Sequence, residues 1–94
     1  MQIKWAKRAL RSLAAIAEYI ERDSPSRARS FVQDIWQQID LLTMQPAVGR
    51  PGRVMGTREL VVHANYIVVY RVKASELQIL TVQHVAKRWP DVFD

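Results

Sequence analysis

Apolar positions change period about halfway along the chain. From Ala6 to about Arg22 they fall at Ala9, Leu10, Leu13, Ile16, Ala17 and Ile20. That is the spacing of one helix face, with Lys7, Arg8, Arg11, Glu18 and Glu21 mostly off the stripe. Asp23-Ser24-Pro25 interrupts it. A serine hydroxyl caps orphan backbone N–H groups, and proline suits the first helical position, so a second helix is predicted from here to about Met44. Its stripe is Ala28, Phe31, Val32, Ile35, Ile39 and Leu42. Pro46 then disfavours helix at Gln45. So short a connection predicts an antiparallel helical hairpin, which needs another layer to cover its apolar stripes. Before it, Gln2 to Trp5 reads either as a brief strand or as the lead-in to the first helix.

In the second half the segments are short and β-branched. Thr57 to His63 reads as a strand, Ala64-Asn65 as a tight turn, and Tyr66 to Lys73 as a second strand. Ala74-Ser75-Glu76 is the next turn and Leu77 to His84 the next strand. The class is therefore α+β: an N-terminal helical hairpin on a small antiparallel β-sheet. Alternation places Tyr66, Val68, Tyr70 and Val72 on a buried face. Ile67, Val69, Arg71 and Lys73 take the other, which should approach solvent. The tail from Val85 reads as a helical turn or an irregular flap. At 94 residues one domain, 1–94, is expected.

Composition narrows the function classes. There is no cysteine, so neither a disulfide framework nor a thiolate metal site is available. No apolar run approaches the ~20 residues of a membrane span, and the basic N-terminus lacks a signal-peptide core, so a cytoplasmic protein is expected. The net charge is +5 and the pI about 10.1. That favours an acidic partner, nucleic acid or protein, or else is a solvated basic surface. Residues 24–48 are neutral, so the excess sits on the first helix and the sheet half.

Chemistry is sparse. Two histidines, His63 and His84, do not make a metal site, and no cofactor motif is present. Gly49-Arg50-Pro51-Gly52 lacks the GK[ST] of a phosphate-binding loop. Asp34 and Asp40 face apart on their helix. What remains is a cationic set of Arg50, Arg53, Arg58, Arg71, Lys87 and Arg88, with Glu59 beside Arg58 and His84 at a strand end. Such groups would hold a phosphate while a histidine moves the 2′-hydroxyl proton of a ribose, which is metal-independent RNA cleavage. They are also read as solvated charges or contacts to an acidic protein, the reading that the residues alone favour. Arg58 either contacts a target or anchors the preceding loop through its carbonyls. His84, on one strand face with Leu80 and Val82, is a packed strand-end residue or a proton carrier. Trp89 is a lid on the core edge or a base-stacking platform.

GRPGRV, GTREL, NYIVVYRV, ILTVQHV and KRWP, in that order behind a helical hairpin, resemble the RelE/ParE superfamily of toxins from bacterial type II toxin–antitoxin modules. The likeness covers nearly the whole chain. It implies a βααβββ fold if Gln2 to Trp5 is a strand, and an antitoxin whose C-terminal segment wraps the hairpin and the sheet edge. It also implies a partner-binding helical face at Leu13, Ile20, Phe31 and Ile35. Acids of that segment would face Arg50, Arg53, Arg58, Arg71, Lys87, Arg88 and Trp89, a surface equally open to the target. One branch inhibits DNA gyrase without being an enzyme. The other cuts mRNA on the ribosome, and its candidates here would be Arg58, Arg71 and His84. The tail lacks a tyrosine, and Val62-His63-Ala64-Asn65 lacks the cation that the cleaving branch carries before its strand. The wording of the motifs is closer to ParE, so a gyrase inhibitor neutralised by its antitoxin is expected. The alternatives are a ribosome-dependent nuclease and a weakly toxic homologue that mainly binds antitoxin and tunes their operon.

Overall fold

The computed structural model describes residues 1–63 and 65–87. Strand β1 (Gln2–Trp5) leads into helix α1 (Lys7–Glu21) and helix α2 (Pro25–Leu42). Then come the two-residue β2 (Arg50–Pro51), β3 (Arg58–His63), β4 (Tyr66–Lys73) and β5 (Glu76–His84). The sheet order is β1-β5-β4-β3-β2. The α+β architecture and the three antiparallel hairpin strands are as expected. The sheet as a whole is mixed, because β1 runs parallel to β5, with Gln2 opposite Glu76 and Trp5 opposite Ile79. A parallel pair needs a long connection, and the helical hairpin with β2 to β4 supplies it.

The helices form where capping and periodicity place them. Ser24 Oγ accepts from the Arg27 N–H at 3.3 Å, and Pro25 occupies the first turn of α2. Ala9 and Leu13 of α1 and Phe31, Ile35, Ile39 and Leu42 of α2 are buried. They meet Val62, Val68, Tyr70, Leu77, Ile79 and Val82 of the sheet. Each such fully buried large side chain contributes about 1.5–3 kcal/mol of hydrophobic transfer. α1 lies over β5 and against α2, and α2 reaches β3.

Two irregularities break the alternation. Val69 pairs with Thr81 but Tyr70 with Ile79, which leaves Leu80 as an extra residue in β5. A similar shift in β3 falls between Val61 and His63. Leu80 therefore joins Ile67, Val69 and Val85 in a second apolar cluster, while Val82 remains in the main core. This corrects the expectation that His84, Val82 and Leu80 share a face. It also corrects the solvated second face: Arg71 and Lys73 do approach solvent, but Ile67 and Val69 are fully buried. Near this cluster the Lys87 carbonyl accepts from Gln83 Nε2 at 2.9 Å and Arg53 at 3.4 Å, tying the turn after β5 to the loop after β2.

Candidate functional site

The arginine-rich loop is fastened at both ends. Tyr70, buried in the core, donates its hydroxyl hydrogen to the Pro46 carbonyl at 2.6 Å and accepts from the Gly49 N–H at 3.0 Å. Gly49 is needed here, because a Cβ would lie 2.6 Å from that hydroxyl oxygen and 3.0 Å from the Glu59 carbonyl. Arg58 donates to the Gly49 carbonyl at 2.7 Å. Glu59, 4% exposed, is held by Arg50 at 2.9 Å and by Arg53 at 3.8 Å. Burial pushes the Tyr70 phenol above its ordinary value, against the opposing pulls of the Gly49 N–H and the Arg58 charge.

Arg58 thus anchors the loop through a carbonyl, one of the two roles read for it. Arg50 and Arg53 hold a carboxylate, yet their side chains remain 52% and 42% exposed. Arg71 stands apart, its Nε donating to Gln78 Oε1 at 2.7 Å. His84 is exposed. Its Nδ1 accepts from the Ala86 N–H at 3.1 Å, and its ring meets Tyr66 edge-on with centroids 5.5 Å apart. Lys87 is exposed. Arg88 and Trp89 lie outside the described residues.

Arg58, Arg71 and His84 do not converge. Arg58 pairs with Tyr70, whose side chain faces the helices, whereas Arg71 points from the opposite face. His84 pairs with Tyr66 at the far end of β4, five residues from Arg71, or roughly 16 Å along the strand. A nucleophile, a proton carrier and a cation need to lie within hydrogen-bond reach of one phosphate, and this arrangement does not provide that.

The helical face is corrected in the same way. Leu13, Phe31 and Ile35 are buried against the sheet, and Ile20 is half-buried against the same core. The stripes that make the helices amphipathic are the ones the sheet covers. Exposed apolar surface lies elsewhere. Leu41, Met44 and Val48 are 61%, 80% and 58% exposed. With Leu42, Leu60, Gln38 and Gln45 they line a groove of about 280 Å³. Its Leu60 wall belongs to β3, whose outer edge is covered by β2 only at Arg58 and Glu59. The available signal was apolar residues off the α2 stripe, at Leu41 and Met44. Among the described residues no cluster of histidine and carboxylate has the composition of a metal site. No helix among them is long and apolar enough to cross a membrane.

Residues 3–89 match the family described as the ParE toxin of the type II toxin–antitoxin system parDE. Y4kP of Sinorhizobium fredii is 46% identical over 92 residues, 97% of this chain and 95% of that protein. Toxin RelE2 of Caulobacter vibrioides is 34% identical over 86 residues, 92% and 97% of the two chains. The chromosomal ParDE system from P. aeruginosa superposes with a TM-score of 0.79 at 35% identity, over 90% of this chain and 96% of that one. The heterotetrameric YoeB–YefM toxin–antitoxin complex of Staphylococcus aureus shares the fold, with a TM-score of 0.60 at 14% identity over 89% and 95%. The chain belongs to the ParE toxin family of type II toxin–antitoxin systems, within the RelE/ParE superfamily.

Proposed function

We propose that this chain acts in the cytoplasm as a non-enzymatic inhibitor of DNA gyrase and is neutralised by a cognate antitoxin. The observation that carries this reading is the ParE-family match over residues 3–89. The dispersal of Arg58, Arg71 and His84 supports it against the nuclease alternative. The antitoxin segment would seat apolar anchors in the groove of Leu41, Met44, Val48 and Leu60 and extend along the uncovered edge of β3. Its acids would meet the exposed parts of Arg50 and Arg53. The test is a supercoiling reaction with purified gyrase, ATP and relaxed plasmid. Lost supercoiling with accumulated cleaved DNA, reversed by the antitoxin, is the expected result. Gyrase that works normally in the presence of folded protein would refute the reading and move the search to translating ribosomes.

A further inference from the structure

On the sheet face away from the helices, Lys4, Gln78 and Arg71 form one row across β1, β5 and β4. Their chain neighbours Ile3, Trp5, Leu77, Ile79 and Tyr70 all pack into the main core, so this row points the other way. The two cations stand two strand spacings apart, roughly 10 Å between backbones, with the glutamine between them. They line a cleft of about 190 Å³, with Leu80 on its wall.

Arg71 is oriented for a ligand. Gln78 Oε1 accepts from its Nε at 2.7 Å, and Gln78 Nε2 donates in turn to Glu76 Oε1 at 3.1 Å. The guanidinium is thus held by one edge, which leaves its terminal nitrogens for a forked contact. Among the described residues no carboxylate pairs with Lys4 or Arg71. Glu76, in the next row with Gln2 and Lys73, is the acid of this region, and its Oε1 accepts from Gln78. Ala6 also lines the cleft, and α1 starts directly after it with the exposed Lys7 and no acid in its first turn. Lys4, Arg71 and Lys7, spread across this face rather than gathered at one point, fit a polyanion of repeating charge better than a single carboxylate.

We propose that the Lys4–Arg71 cleft holds a backbone phosphate of duplex DNA, with Arg71 as the fork and Lys4 as the point charge. The choice of DNA rests on the gyrase reading. The phosphate chemistry rests on the cleft. Bound there, DNA would lie on the sheet face away from the helices, across β1, β5 and β4, whereas Leu60 in the groove proposed for the antitoxin packs on the helix side of β3.

A labelled duplex oligonucleotide titrated with the purified protein, followed by anisotropy from about 50 to about 200 mM salt, tests this. Lys4→Gln with Arg71→Gln should weaken binding at least about tenfold and lower the slope of log affinity against log salt by about one. Arg27→Gln with Arg29→Gln removes the same charge from exposed α2 positions and should change affinity less than about twofold. Matched thermal melts establish that each variant is folded. Equal losses in the two double variants, or no duplex binding by the wild type, would overturn the site. So would wild-type affinity in Lys4→Gln/Arg71→Gln. Preference for a single-stranded RNA of equal length would overturn the choice of DNA. Loss of an oligoglutamate peptide with duplex binding retained would assign the cleft to an acidic protein instead. Intact duplex binding without gyrase inhibition would sink the gyrase reading and spare the cleft. Wild-type gyrase inhibition with site-independent duplex binding would do the reverse.

Discussion

Tyr70 joins the core to the loop through one buried oxygen, which both donates and accepts. Tyr70→Phe would leave the Pro46 carbonyl and the Gly49 N–H without this partner, at a cost of about 1–3 kcal/mol. Urea denaturation at neutral pH measures it. The phenol also makes stability depend on pH. Below 10.0, its ordinary value, the folded and unfolded chains both keep the proton, and the contact has its full strength. As pH rises past 10.0 the unfolded chain loses the proton first, because burial holds the folded phenol higher, and stability falls until the folded phenol titrates too. The wild type should therefore lose stability more steeply than Tyr70→Phe above about pH 10, and parallel curves would refute the linkage. Glu59→Gln tests the neighbouring contact. Because Arg50 and Arg53 are about half exposed, solvent screens the pair, and a cost of about 1 kcal/mol is expected. None of this was legible in the sequence beyond the option that Arg58 anchors the loop. A contact between Pro46 and Tyr70 depends on how a loop folds back, which no local pattern records.

At the scale of elements, the helices were the most legible, because caps and periodicity are local. Ser24 and Pro25 mark the start of α2 in sequence as they do in structure. The strands were legible as segments but not in their facing. A bulge adds a single residue and leaves no mark in composition, so Leu80 moved to the second face and His84 lost its expected neighbour. The parallel placement of β1 is also silent in four residues of mixed character. The β4–β5 turn carries its own prediction. Ala74 and Ser75 both adopt positive φ, at 52° and 63°, the backbone that favours Asn-Gly. Ala74→Asn with Ser75→Gly should relieve that strain and raise stability by about 1 kcal/mol, read from the denaturation midpoint. An unchanged or lower midpoint would mean that this turn is held by its strands rather than by its own conformational preference.

At the scale of the molecule, the candidate surfaces lie on different faces of one sheet. The groove of Leu41, Met44 and Val48 opens beside Leu60 on the helix side of β3, while Lys4 of β1 and Arg71 of β4 lie on the face away from the helices. Adjacent strands are about 4.8 Å apart, so Lys4 is roughly 14 Å from β3, and Arg71, one strand from β3, is set apart from the groove by the sheet itself. A change in the groove should therefore act on the antitoxin without reaching the other surface. Leu41 and Met44 are 61% and 80% exposed, so aspartate at either position displaces no core side chain. Leu41→Asp with Met44→Asp puts two charges where an apolar anchor would be desolvated. That should weaken antitoxin binding by about 2–4 kcal/mol, the range of central interface anchors. Calorimetry on the purified pair measures the loss, and thermal melting of the toxin alone should stay close to the wild type. Gyrase inhibition by this variant should persist and resist reversal by antitoxin at concentrations that rescue the wild type. Full neutralisation of a folded double variant would show that the groove is not where the antitoxin binds. Loss of inhibition together with antitoxin binding would show that partner and target share it.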